Sequence, residues 1–189
     1  MKKKGLAMVL ALVLLAVCAV SGTLAWLTAK SDTVTNTFTT SDIKVELTET
    51  NETYKMVPGY DIHKDPKAKV LAGSEECFLF VKLEKSSNFD TYLEYAIADG
   101  WTQLTTDKDG KAISDLVYYR KVLTKDIGTA YSVLANDQVT VKGEVTKAMM
   151  DGLTTETLPK LTITAYASQL YKSAGVEFTA AEAWANVTP

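Results

Sequence analysis

From Ile43 onward, apolar and polar positions alternate with a period of two. Ile43, Val45 and Leu47 interleave with Lys44, Glu46 and Thr48, the pattern of a strand with one face buried and one in water. The same reading predicts strands over residues 69–71, 77–84, 92–98, 101–104, 116–123, 130–134, 138–145 and 158–171. Asp107-Lys108-Asp109-Gly110 supplies the chemistry of a hairpin turn, while Pro58-Gly59 and Asp65-Pro66 mark a loop. Two segments break the period. Residues 146–153 bring Ala148, Met149 and Leu153 near one face, and Thr179-Ala180-Ala181-Glu182 is a capping box opening a short helix through Trp184 to Val187. Regularly spaced strands with turn signals between them predict an all-β chain, an antiparallel sandwich with one or two short helices. Its expected buried set is Ile43, Val45, Leu47, Leu79, Val81, Ile163 and Tyr166.

The first residues follow a different rule. Lys2, Lys3 and Lys4 precede an uncharged stretch over 5–29 that is dense in Leu, Val and Ala. This is the layout of a secretory signal helix, with the lysines held on the cytoplasmic side. Small side chains at Thr23 and Ala25 frame Leu24, which places cleavage after Ala25 and leaves Trp26 as the new terminus. The chain then divides into a signal peptide (1–25), an N-terminal strand segment (26–41) and a domain (42–189). A rival reading keeps the segment as a membrane anchor, since at about 1.5 Å per residue it is long enough to cross. Cys18 raises a lipoprotein reading, but Val17 stands where a smaller residue is wanted.

Loss of the signal changes the charge and the cysteine chemistry. The full chain has 20 basic and 23 acidic residues, so without Lys2, Lys3 and Lys4 it carries 17 against 23, a net charge of −6. Such a chain is no uniformly basic nucleic-acid binder. Cys77 alone remains, which excludes an intrachain disulfide, and its apolar surroundings predict a buried, inert thiol.

Candidate chemistry is sparse. Asp61, His63 and Asp65 would share a face in an extended chain, an accidental metal site at best, and a solvated loop explains them better. Asp107, Asp109 and Gly110 resemble the start of a calcium loop without its later ligands. No G-x-S-x-G elbow and no G-x-x-x-x-G-K motif occurs. Tyr118, Tyr119 and the tryptophans fit a core better than a binding platform. The expectation is a non-enzyme with no cofactor and no metal.

One segment invites a different function. Over residues 32–40, Val34, Asn36 and Phe38 share one face and threonines the other, and Ser41-Asp42 separates this strand from the domain. An extended peptide of this kind can complete the sheet edge of another subunit. Repeated head to tail, that contact builds an open filament. The alternative is that the segment pairs within its own domain, in a monomeric or membrane-anchored surface binding module.

Gly22-Thr23-Leu24-Ala25-Trp26-Leu27-Thr28 followed by Asp32-Thr33-Val34-Thr35-Asn36-Thr37-Phe38 resembles the export signal and early mature segment of the TasA/camelysin-like family. Val57-Pro58-Gly59, Lys64-Asp65-Pro66, Phe78-Leu79-Phe80-Val81-Lys82, residues 161–167 and Ala183-Trp184 are similar to its later parts. The resemblance implies a jelly-roll-like sandwich, processing by a SipW-type signal peptidase, and a secreted role at the cell surface or in the biofilm matrix. The partners it implies are further copies of the chain and other matrix proteins. Nucleic acid is not among them, and the membrane enters only through an uncleaved signal. Camelysin-like relatives carry a metalloprotease label, for which this sequence shows no motif.

Overall fold

Thr40–Pro189 forms one compact unit. A computed structural model describes residues 42–51 and 54–187, with Gly5 as an isolated position. The proposed signal, its cleavage residues Thr23, Ala25 and Trp26, and the strand residues Val34, Asn36 and Phe38 all lie outside the described residues.

The domain is all-β and every pairing in it is antiparallel. Its central sheet contains β4 (Cys77–Lys85), β6 (Thr102–Thr106), β7 (Ala112–Val122) and β10 (Leu161–Gln169) in the order β10-β4-β7-β6. A second sheet is ordered β1-β3-β8, from Val45–Thr48, Lys67–Val70 and Ala130–Ser132. A third is ordered β2-β9-β5, from Asp61–His63, Gln138–Val141 and Leu93–Glu94. A small hairpin, β11 (Tyr171–Ser173) with β12 (Val176–Glu177), follows the central sheet. The helices are short: α1 (Phe89–Tyr92), α2 (Lys147–Asp151) and α3 (Ala180–Ala185).

The sequence of β4 explains why it is central. Cys77, Leu79, Val81 and Leu83 alternate with Phe78 and Phe80, so both faces are apolar and both must be covered. The odd-numbered face packs against the two smaller sheets through Ala68, Val70, Val139, Val141 and Leu93. The even-numbered face packs with Val117, Leu104 and Leu170 under Ala183 and Trp184 of α3. The capping box holds that helix in place: Thr179 Oγ1 accepts the Glu182 amide at 3.2 Å, and Glu182 Oε2 accepts the Thr179 amide at 2.8 Å. Val81 is fully buried, so Val81→Ala should cost about 1–3 kcal/mol, from lost burial plus the cavity left behind. Urea denaturation measures it, and a loss near zero would contradict this packing.

Several expectations need correcting. Asp61–His63 is not loop but strand β2, paired with β9 through Ile62 opposite Val139; the turn residues around it hid a strand of only three residues. Of the strand expected over 92–98 only Leu93–Glu94 forms, as β5; Tyr92 closes the helical turn α1, which is anchored by buried Phe89. Beyond β5 the chain swings away and bridges Ile97 to Leu134. The run expected over 158–171 begins later, at Leu161, after Pro159, whose nitrogen cannot donate to a ladder. Leu79 and Val81 are buried as expected, but Ile43, Val45, Leu47, Ile163 and Tyr166 are only half-buried. The physical reason is position: among the described residues β1 and β10 are edge strands, and Ile43 lies ahead of β1. Tyr166 also points to the other face of β10, edge-on to Trp184 at 5.3 Å.

The two flanks of the domain are finished differently. Between the central sheet and β8, the half-buried Arg120 guanidinium lies 3.6 Å from the Tyr131 ring centroid and 5.3 Å from that of Trp101, a stack that covers a planar cation with aromatic faces. The Trp101 indole N–H donates to the Ser132 carbonyl at 2.9 Å. Gly100 is required there: its φ is +84°, and a Cβ would stand 2.8 Å from Arg120 Nη2. On the opposite flank the described residues leave a groove open.

Candidate functional site

On that open flank a groove of about 430 Å³ separates the β2-β9-β5 sheet from the start of β10. Met56, Ile62, Leu93 and Val139 form one wall, Leu158 and Leu161 the other, with Phe89 between them. Two of its polar side chains, Lys64 and Tyr54, are already engaged. Lys64 Nζ lies 2.6 Å from Glu49 Oε1 and 5.5 Å from the Tyr54 ring centroid, and the Tyr54 hydroxyl donates to the same carboxylate oxygen at 2.6 Å. What is left in the groove is largely apolar side chain, suited to apolar knobs rather than to a reacting group.

Beside the groove, Asp65 fastens the segment after β1. It accepts the Thr50 hydroxyl at 2.7 Å and the Thr50 amide at 3.0 Å, with His63 and Lys67 about 4 Å away. The Thr50 hydroxyl and amide, ahead of the nearby cations, hold the carboxyl below its ordinary 3.8. A carboxylate lowered in this way stabilises the fold above its ordinary range, and the contribution disappears as pH falls through the lowered value. Asp65→Asn should therefore lower the melting temperature at pH 7 and converge on the unsubstituted protein at acid pH, once the Asp65 carboxyl is protonated. Thermal melts across pH check this, and an equal deficit at both pH values would contradict it.

The other singled-out residues are dispersed. His63 is exposed, Asp61 accepts the Thr140 hydroxyl at 2.6 Å, and Asp65 is taken by Thr50. Among the described residues no group of three His, Cys, Asp or Glu side chains could hold a metal. Asp107 makes the hairpin turn: its Oδ1 accepts the amides of Asp109 and Lys111 at 2.9 and 2.8 Å. Tyr118 and Tyr119 project to opposite faces of β7, so they form no common platform. Cys77 is fully buried, and burial pushes its thiol up to about 11, so it stays protonated at neutral pH.

Sequence reasoning missed the strand edges. Among the described residues, β10 is a nine-residue edge strand without a charge, Leu-Thr-Ile-Thr-Ala-Tyr-Ala-Ser-Gln, and nothing hydrogen-bonds to its outer side. The other edges are blunted. β6 carries a register break between Leu104 and Thr106, β1 holds Glu46, β5 holds Glu94, and β2 and β8 have three residues each. Folded proteins ordinarily protect a long edge with charge, bulge or brevity; β10 has none of these. The signal was present in the sequence as an uncharged β-rich run, but only the strand order shows that it lies at an edge.

The ends of β10 differ. Leu161 borders the groove, whereas Ala167, Ser168 and Gln169 line a shallow hollow with Asp42 and Ile43. The chain preceding Asp42 therefore joins the domain at the end of β10 away from the groove. No protein-family model, curated protein or solved structure matches the chain.

Proposed function

We propose that the chain is a secreted structural protein of the extracellular matrix or cell surface, not an enzyme. Its N-terminal strand, residues 33–40 with Val34, Asn36 and Phe38 on the inserted face, adds to the β10 edge of another copy and builds fibres. In this reading the sheets form a jelly-roll-like sandwich, and a SipW-type peptidase frees the strand by cutting after Ala25, as in the TasA/camelysin-like proteins that the export segment resembles.

The observation that carries the reading is the long, uncharged edge of β10, unpaired among the described residues. Direction supports an intermolecular partner. A strand entering β10 of its own domain from Asp42 would start at Gln169 and lie parallel to β10. A strand from a neighbour seated beyond the Leu161 end would lie antiparallel, like every other pair in this domain. Antiparallel pairing is slightly the more stable per residue. The apolar groove beside Leu161 gives Phe38, at the end of the strand nearest its own domain, a place to insert.

A second reading, a monomer with the strand folded onto its own β10, draws on the nearness of Asp42 to that edge. Sedimentation velocity over a concentration series separates the two. Assembly predicts a continuous ladder of species growing with concentration; one monomeric boundary at every concentration would contradict it.

A further inference from the structure

Among the described residues, the large apolar side chains left exposed are Val57, Tyr60, Leu123, Leu158, Tyr171 and Val176. Single exposed apolar residues are ordinary on a protein surface. Here, however, they separate into two groups at opposite ends of β10. Leu123 follows Val122, whose partner Cys77 also faces Gln169, and Tyr171 and Val176 sit on the hairpin just past Gln169. Leu158 precedes Leu161, which faces Lys85 at the other end of the sheet. Val57 and Tyr60 flank Gly59, whose amide donates to Val141, the partner of Leu93 in the groove wall.

The length of chain outside the described domain decides what covers these patches. The strand over 33–40 is joined to its own domain by Ser41-Asp42 alone, a spacer reaching roughly 7 Å. A strand seated antiparallel on a neighbour's β10 ends beside that neighbour's Leu161. Its own domain, which begins at Asp42, must then stand against the groove end of the neighbour.

We infer that Leu123, Tyr171 and Val176 of one copy pack against Val57, Tyr60 and Leu158 of the next, a second contact that accompanies strand insertion and rests on that reading. The two surfaces differ, so the contact is heterologous and propagates without closing. Tyrosine on both sides suits it, since aromatic side chains anchor interfaces while keeping a polar tip for the wet rim. It also sets the spacing of copies along the fibre, which a strand on a two-residue spacer alone would leave loose.

The test uses the mature chain with two double variants, Tyr171→Lys with Val176→Lys, and Val57→Lys with Tyr60→Lys. All four positions are exposed, and circular dichroism confirms the fold. Each variant alone should need roughly tenfold more protein for half-assembly in sedimentation, the scale expected when interface anchors are lost. Mixed in equal amounts they should form dimers that grow no further, because each retains the end that the other lacks. Gln103→Lys, on β6 at the far edge of the central sheet from β10, should assemble normally. Assembly of either double variant at the unsubstituted concentration would overturn the contact and leave strand insertion standing. If the double variants are impaired while Phe38→Asp is not, the end-to-end contact stands and strand insertion falls.

Discussion

Phe38→Asp is expected to abolish assembly at concentrations where the unsubstituted chain forms fibres, while the domain stays folded. In an extended strand Val34 and Phe38 project to the same side, so both enter the apolar space beside β10 when the segment is added to another copy. Withdrawing a buried phenylalanine removes about 1.5–3 kcal/mol of burial. A carboxylate in its place meets Leu158, Leu161 and Phe89 at the cost of its hydration, while Lys64 is held by Glu49 and Lys160 stands exposed to water at the groove edge. The combined effect should raise the concentration for assembly by at least roughly two orders of magnitude. Thr37→Ser, on the opposite face of the strand, should change it little. Light scattering reads assembly and circular dichroism reads the fold. If Phe38→Asp instead unfolds a protein that never assembles, the segment is an internal strand.

Phe80→Ala is expected to be the most damaging single change to the domain itself. Phe80 is fully buried, with its ring 5.2 Å from Trp184, 6.0 Å from Phe78 and 6.1 Å from Tyr119, centre to centre. Truncation removes the contacts by which α3 is held to the central sheet, at a cost of about 3–5 kcal/mol. Against a usual total of roughly 5–15 kcal/mol, that is a large share. Urea unfolding followed by tryptophan fluorescence measures it, with Trp184 as the local reporter. A loss below about 1 kcal/mol would mean that this face of the sheet can repack freely, contrary to its close packing.

The parts of this architecture that were legible in the sequence are those written in consecutive residues. β4 reads as a strand because its nine residues alternate two apolar faces, and α3 reads as a helix because Thr179 and Glu182 stand at capping distance. Short elements were lost. β2 has three residues between turn signals, and α1 is one turn fixed by burial of Phe89 rather than by any helical period. The acceptor could not be read at all. Its walls come from Met56, Ile62, Phe89 and Leu158, which are brought together only by the pairing of β2 with β9 and of β10 with β4. The strand expected over 158–171 took in only Tyr171, the first residue of the hairpin that also carries Val176.

The central claim is that residues ahead of Ser41 drive assembly by entering another copy. Negative-stain electron microscopy of the chain beginning at Trp26, beside one beginning at Ser41, tests it most directly, with circular dichroism establishing that both are folded. The account predicts fibres from the first and dispersed single particles from the second. Fibres from both, or folded single particles from both, would contradict it.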